Sequence, residues 1–199
     1  MNPLLTIKGT LAVGLVLALA VAFGIGSGAA GLKASMMVWV HVMAGVVWIG
    51  LLYYFNFVQV PGVGKALADT DGPGPAAINK YIAPSALLWF RMAAAVTWLT
   101  GLSALVTVGG GMQGIVNAFT LSNGMAVIGV GAWLGTIMLF NVWVLIWPNQ
   151  KKILGMVEST PEAIAKGKVV ALMASRTNTL LSIPMLMCMT AYGHGGLPY

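Results

Sequence analysis

The chain has 199 residues, 59% of them hydrophobic and only 7% charged, with a net charge of +6 and a mean hydropathy of +0.91. So few charges exclude an ordinary soluble globular domain and place the chain among multi-pass membrane proteins. The basic residues are dispersed along the chain, which excludes a concentrated nucleic-acid-binding patch.

The gaps between charges mark the spans. Lys8 to Lys33 encloses 24 uncharged residues, Lys33 to Lys65 encloses 31, and Arg91 to Lys151 encloses 59. A helix crosses a bilayer in roughly 20 apolar residues. The pattern therefore predicts an all-α integral membrane protein, a single-domain bundle of five transmembrane helices over 1–199. The expected spans are 10–31, 35–58, 84–108, 121–147 and 169–192.

In chain order, the first span has the look of a secretory signal, with Lys8, an apolar run and the small residues "GSGAAG"; it is expected to be retained as a helix. The Gly/Pro-rich stretch 59–83 predicts a mostly irregular connection, with Pro84 in the first turn of the third span. The uncharged stretch "GGGMQGIVNAFT" predicts a second link over 109–120, without the lysine of a phosphate-cradling loop. Near the start of the last helix, Ser159 with Glu162 three residues on and Pro161 between them predicts a capping box. Cys188 is the sole cysteine. The chain therefore has no CxxC or CxxCH, and neither a zinc site nor a covalently attached haem is expected.

With five spans, Lys8, Lys65, Lys80, Lys151, Lys152, Lys166 and Lys168 fall on one side and Lys33 on the other. The positive-inside rule then puts the N-terminus in the cytoplasm and the C-terminus in the periplasm. The expected location is the bacterial inner membrane.

Polar residues inside the spans cluster by depth. Arg91 and Arg176 each lie seven residues into a span, about 10 Å at 1.5 Å per residue. Asn141, Asn178, Tyr53, Tyr54, Asn56 and Gln59 share that half, and the four acids Asp69, Asp71, Glu158 and Glu162 all lie in connections. An arginine here either snorkels to lipid phosphate or forms an anion-binding pocket with its polar neighbours. The two histidines, His41 and His194, lie at the opposite end. They either hold a haem b between two helices or bond to backbone and water at the interface. His41, Gly45, Trp48, Leu52 and Gln59 fall on one helical face.

Four stretches carry a family resemblance: "HVMAGVVWIGLLYYFNFVQ", "YIAPSALLWFRMAAAVTWLTGL", "GTIMLFNVWVLIWPNQKKIL" and "ASRTNTLLSIPMLMCMTAYGH". Together they resemble the membrane domain of the bacterial membrane-bound urate oxidases (urate hydroxylases) over about residues 35–195. The resemblance implies oxidation of urate to 5-hydroxyisourate, with electrons passing to a cytochrome c domain. It places Tyr53, Asn56, Gln59, Arg91, Asn141, Arg176 and Asn178 at motif positions on the cytoplasmic side, and His41 and His194 at motif positions on the other. The roles expected of them are anion binding by Arg91 and Arg176, orientation by Asn56, Gln59, Asn141 and Asn178, and a relay at Tyr53 or Tyr54. The two histidines would hold a redox cofactor such as haem b or orient the exit. No CxxCH occurs in the 199 residues, so the expected electron acceptor is a separate cytochrome c, with other membrane subunits as further partners. The alternatives are a non-catalytic accessory subunit of a larger respiratory or photosynthetic membrane complex, and a b-type haem electron carrier.

The topology has a direct test. Alkaline phosphatase fused after residue 199 is expected to be active, and the same reporter fused at residue 155 inactive. Activity at residue 155 would reverse the orientation.

Overall fold

A computed structural model describes residues 2–25 and 29–196, the side chains of 25–35 excepted. After a 3₁₀ turn at Pro3–Leu5, the chain forms α1 (Ile7–Ile25) and α2 (Ala29–Tyr54). A π-helical turn, Phe55–Gln59, joins α2 to α3 (Val60–Ala68). A second π turn, Ile78–Ile82, leads into α4 (Ala83–Val108), followed by the short α5 (Met112–Phe119). Then come α6 (Ala126–Phe140), a third π turn at Asn141–Ile146, α7 (Trp147–Ile153) and α8 (Pro161–Gly193). No strand occurs among the described residues. Among the described residues, five helical stretches are long and apolar enough to cross a membrane: Ile7–Gly24, Met36–Ala68, Ile78–Val108, Ala126–Ile153 and Pro161–Gly193.

The number of spans is as expected, but their ends differ. Residues 29–31 open α2 instead of closing the first span, and 26–28 lie outside the described residues. The stretch 59–83 is mostly helical, since α3 continues the second span to Ala68 and helix resumes at Ala76. Within the 109–120 link lies α5, which the chain enters through Gly110 and Gly111 at φ 71° and 122°, a backbone region costly for any residue with a Cβ. The fourth span runs from 126 to 153 rather than 121 to 147. The last helix is capped by Thr160, whose side chain accepts from the Ala163 N–H, rather than by Ser159. Pro161 is the reason: a residue before proline is driven to extended backbone, and Thr160 has ψ 155°, the conformation of an N-cap.

The three π turns share one cause. Each ends two residues before a proline: Gln59 before Pro61, Ile82 before Pro84, Ile146 before Pro148. A proline inside a helix lacks its N–H, and its ring collides with the carbonyl four residues back. Those carbonyls belong to Phe57, Lys80 and Val144, all inside the π turns. The residue preceding each proline instead bonds five residues back: Val60 N–H to Phe55 O, Ala83 to Ile78 O, Trp147 to Val142 O. The wider turn lets the helix pass each of these three prolines without ending, whereas α8 passes Pro184 as a continuous α-helix. Pro84 thus lies within a longer helix rather than opening one.

The packed core joins α2 to α4 and α6 to α8, the two pairs meeting along α4–α6 and α2–α8. Leu52, Phe90, Met138 and Val142 fill its centre with Trp48, and the Phe55 and Phe90 rings meet edge-on at 5.4 Å. Residues such as Phe57, Leu99, Phe140 and Leu180 face outward, as a lipid-facing surface requires. In lipid no hydrophobic force draws helices together, so close packing and interhelical hydrogen bonds hold the bundle. Gly131 shows the first: a Cβ there would meet the Met189 methyl at 3.1 Å and Cys188 Cβ at 3.2 Å.

Asn141 and Asn178 show the second. Asn141 Nδ2 donates to Asn178 Oδ1 at 2.8 Å, and Asn178 Nδ2 donates to Met138 O at 2.9 Å. Asn178 is fully buried. Asn141→Ala strands the Asn178 acceptor and is expected to cost ~1 kcal/mol, as interhelical hydrogen bonds in membranes do. In thermal unfolding of detergent-solubilised protein, the double variant with Asn178→Ala should lose less than the two single losses added. Strict additivity would show the two side chains to be uncoupled.

Candidate functional site

At the lysine-rich end, Tyr53, Asn56, Asn141 and Asn178 are drawn into helix–helix bonds. Asn56, in the first π turn, donates to Leu52 O at 2.9 Å and to Ser175 Oγ at 2.8 Å. Tyr53 OH lies 3.0 Å from Ser182 Oγ, and Ser182 spends its own proton on Thr179 O at 2.7 Å. The phenol is therefore the donor, and the chain of bonds ends on a backbone carbonyl. Tyr54 packs beside Phe55 at 5.7 Å between centroids. Gln59 Oε1 is buried and finds no partner among the described residues.

The two arginines do not converge. Arg176 is exposed on α8. Arg91 is half-buried and stacks on Trp147, its guanidinium carbon 3.7 Å from the ring centroid. Equal depth fixed neither azimuth. Trp147 was not singled out in the sequence, and neither were Ser175 and Ser182. Trp147 lies across the bundle from Arg91 with no local spacing to signal the contact.

The histidine end holds a cavity of about 700 Å³ between α2, α4, α6 and α8, lined by both His41 and His194. Its walls are largely apolar, with Trp48, Leu105, Met185 and Met189 among them. That volume lies inside the range of small-molecule and cofactor sites, about 300–1,000 Å³. His41 Nδ1 lies 2.8 Å from Thr97 O on α4, and His194 Nδ1 lies 2.8 Å from Thr190 O on its own helix. A carbonyl only accepts, so each neutral ring carries its proton on Nδ1 and presents Nε2 as a bare lone pair. Gly101 makes the first contact possible. A Cβ at 101 would stand 3.0 Å from His41 Cε1 and 3.2 Å from Nδ1, blocking the approach to the carbonyl one turn earlier. A census of side chains could not find Thr97, because it acts through its backbone oxygen.

His41 is half-buried and His194 exposed at the end of α8, and each has the backbone bond that metal-ligating histidines use. The outer nitrogen is tied to a carbonyl, which fixes the tautomer and raises the basicity of the other. Among the described residues no group of three or more His, Cys, Asp or Glu could hold a bare metal ion. A site with two imidazoles and apolar walls suits an iron already held in a macrocycle.

Comparison with known families gives a match between residues 111–197 and the family described as urate oxidase N-terminal. Comparisons with curated proteins and with solved structures return no match. The matched segment carries α5 to α8 with Asn141, Arg176, Asn178 and His194, whereas His41, Tyr53, Tyr54, Asn56, Gln59 and Arg91 precede it. Over residues 111–197, then, this chain is similar to the urate oxidase N-terminal family, in agreement with the resemblance carried by its last two motifs.

Proposed function

We propose that this chain is a urate-oxidase-like membrane redox protein that holds a b-type haem between His41 and His194. The observation that carries the reading is the pair of imidazoles on one apolar cavity, each with Nδ1–H bound to a carbonyl and Nε2 free. When bound, the haem supplies one-electron chemistry. Thr97 O and Thr190 O orient the ligating rings, Gly101 leaves His41 room, and the apolar walls exclude water. The electron partner in this reading is a separate cytochrome c on the histidine side of a bacterial inner membrane.

Protein purified from its native membrane is expected to show a Soret band and a protohaem extract. His41→Ala and His194→Ala should each abolish or shift that band while the protein remains in the membrane. Gly101→Val should do likewise by pushing His41 off Thr97 O. Natively purified protein without haem would overturn the reading.

The family match favours a catalytic extension of the same reading, oxidation of urate or a similar planar anion at the lysine-rich end. Water adds to urate, and two electrons and two protons leave. Arg91 is the residue best placed to meet an anion: stacking on Trp147 covers one face of its guanidinium and leaves the N–H edge available. Asn56, Asn141 and Asn178 brace the surrounding helices, Gln59 offers its unpaired oxygen, and Tyr53 or Tyr54 remains the relay. Arg91→Ala is expected to lower kcat/KM for urate in membranes by ~10–100-fold, the worth of a charge-assisted hydrogen bond. Undiminished turnover would remove Arg91 from the substrate site.

A further inference from the structure

Two positive side chains meet on one indole at the lysine-rich end. Arg91 reaches Trp147 from α4 with its guanidinium carbon 3.7 Å from the ring centroid, and Lys151 places its Nζ 5.7 Å from the same centroid. Trp147 and Lys151 are four residues apart on α7 and so share a helical face. The third π turn sets which face that is. It adds a residue to the helix just before α7, and each residue turns an α-helix by about 100°. Without that turn, Trp147 and Lys151 would be rotated by about 100° from the face they present to Arg91.

The two cations lie within about one Debye length of each other, ~10 Å at 0.1 M salt, so their repulsion is little screened. The π face of Trp147 attracts each of them but gives the guanidinium no hydrogen-bond acceptor. All four carboxylates of the chain, Asp69, Asp71, Glu158 and Glu162, are exposed in connections or at the start of α8. No bond from Arg91 or Lys151 to any of them is seen among the described residues. All three members of the cluster are half-buried. Such a cluster is short of negative charge, and it sits at the end of the bundle where lysines are concentrated.

We infer that Arg91, Trp147 and Lys151 form a binding seat for a phosphate-type oxyanion. Arg91 supplies planar donors and Lys151 a movable point charge, while Trp147 holds both in place. An anionic phospholipid headgroup is one source of such a group, since basic pockets between spans bind phosphorylated headgroups; a free oxyanion is the other. The inference does not rest on the haem; it shares Arg91 with the proposed urate site, and its test reads lipid and phosphate binding at Lys151 rather than urate turnover.

The test uses the full chain in nanodiscs and native mass spectrometry. Wild-type protein is expected to retain phosphatidylglycerol several-fold more than phosphatidylcholine. Lys151→Gln should weaken that preference, and the double variant with Arg91→Gln should abolish it. In pure phosphatidylcholine discs, millimolar inorganic phosphate raising Tm for the wild type but not for Lys151→Gln would assign the seat to a free oxyanion. Lys151→Gln alone keeps the test sound if the double variant does not fold. Equal lipid retention by wild type and Lys151→Gln, together with no phosphate-dependent Tm shift, would overturn the inference.

Discussion

Every backbone N–H and C=O inside a bilayer must find its partner within the protein, and this chain meets that constraint while carrying prolines in its spans. Pro61, Pro84 and Pro148 each remove a donor where three long helices pass through the lysine-rich end. The π turns before them shift the bonding pattern by one residue, so that the helix continues instead of breaking. The polar side chains of that end depend on this solution. Asn56, Gln59 and Asn141 lie within the π turns, and Trp147 comes directly after one. Single π turns in helices frequently mark functional sites, and two of these three carry the residues that the family resemblance implies.

The two ends of the bundle are built on different physics. At the lysine-rich end, amides and hydroxyls are spent across helices, as in Asn141–Asn178–Met138 and Tyr53–Ser182–Thr179. Those bonds specify which helices meet and fix their register. At the histidine end, α2, α4, α6 and α8 line a cavity, with His41 half-buried and His194 exposed at the end of α8. Paired polar side chains hold one end together, and largely apolar walls line the cavity at the other.

The spans were legible because charge is so scarce that its gaps are themselves helices. Their ends were less so, since a Gly/Pro-rich stretch suggests a loop in water but can be helical where prolines are bridged by π turns. Depth was legible from the count of residues; azimuth was not, because a π turn rotates the helix beyond it, as before Arg91, and because a count along α8, which has none, does not say which face packs inward. Arg91 and Arg176 illustrate the difference, one stacked inward on Trp147 and the other exposed. On α2 the spacing of His41, Gly45, Trp48 and Leu52 matches a half-buried to buried face, while Gln59, assigned to the same face, lies inside the π turn. Backbone partners such as Thr97 O carry no side-chain signature at all.

The π turns also bear on how such a chain can change length over evolutionary time. Deleting one residue from a regular spanning helix rotates everything beyond it and exchanges its lipid face for its packed face. A π turn is already one residue longer than the bonding pattern around it requires, so a deletion there can be absorbed locally. The segments Phe55–Gln59, Ile78–Ile82 and Asn141–Ile146 are therefore the places where relatives of this protein can differ by single-residue gaps inside membrane spans and keep the same fold.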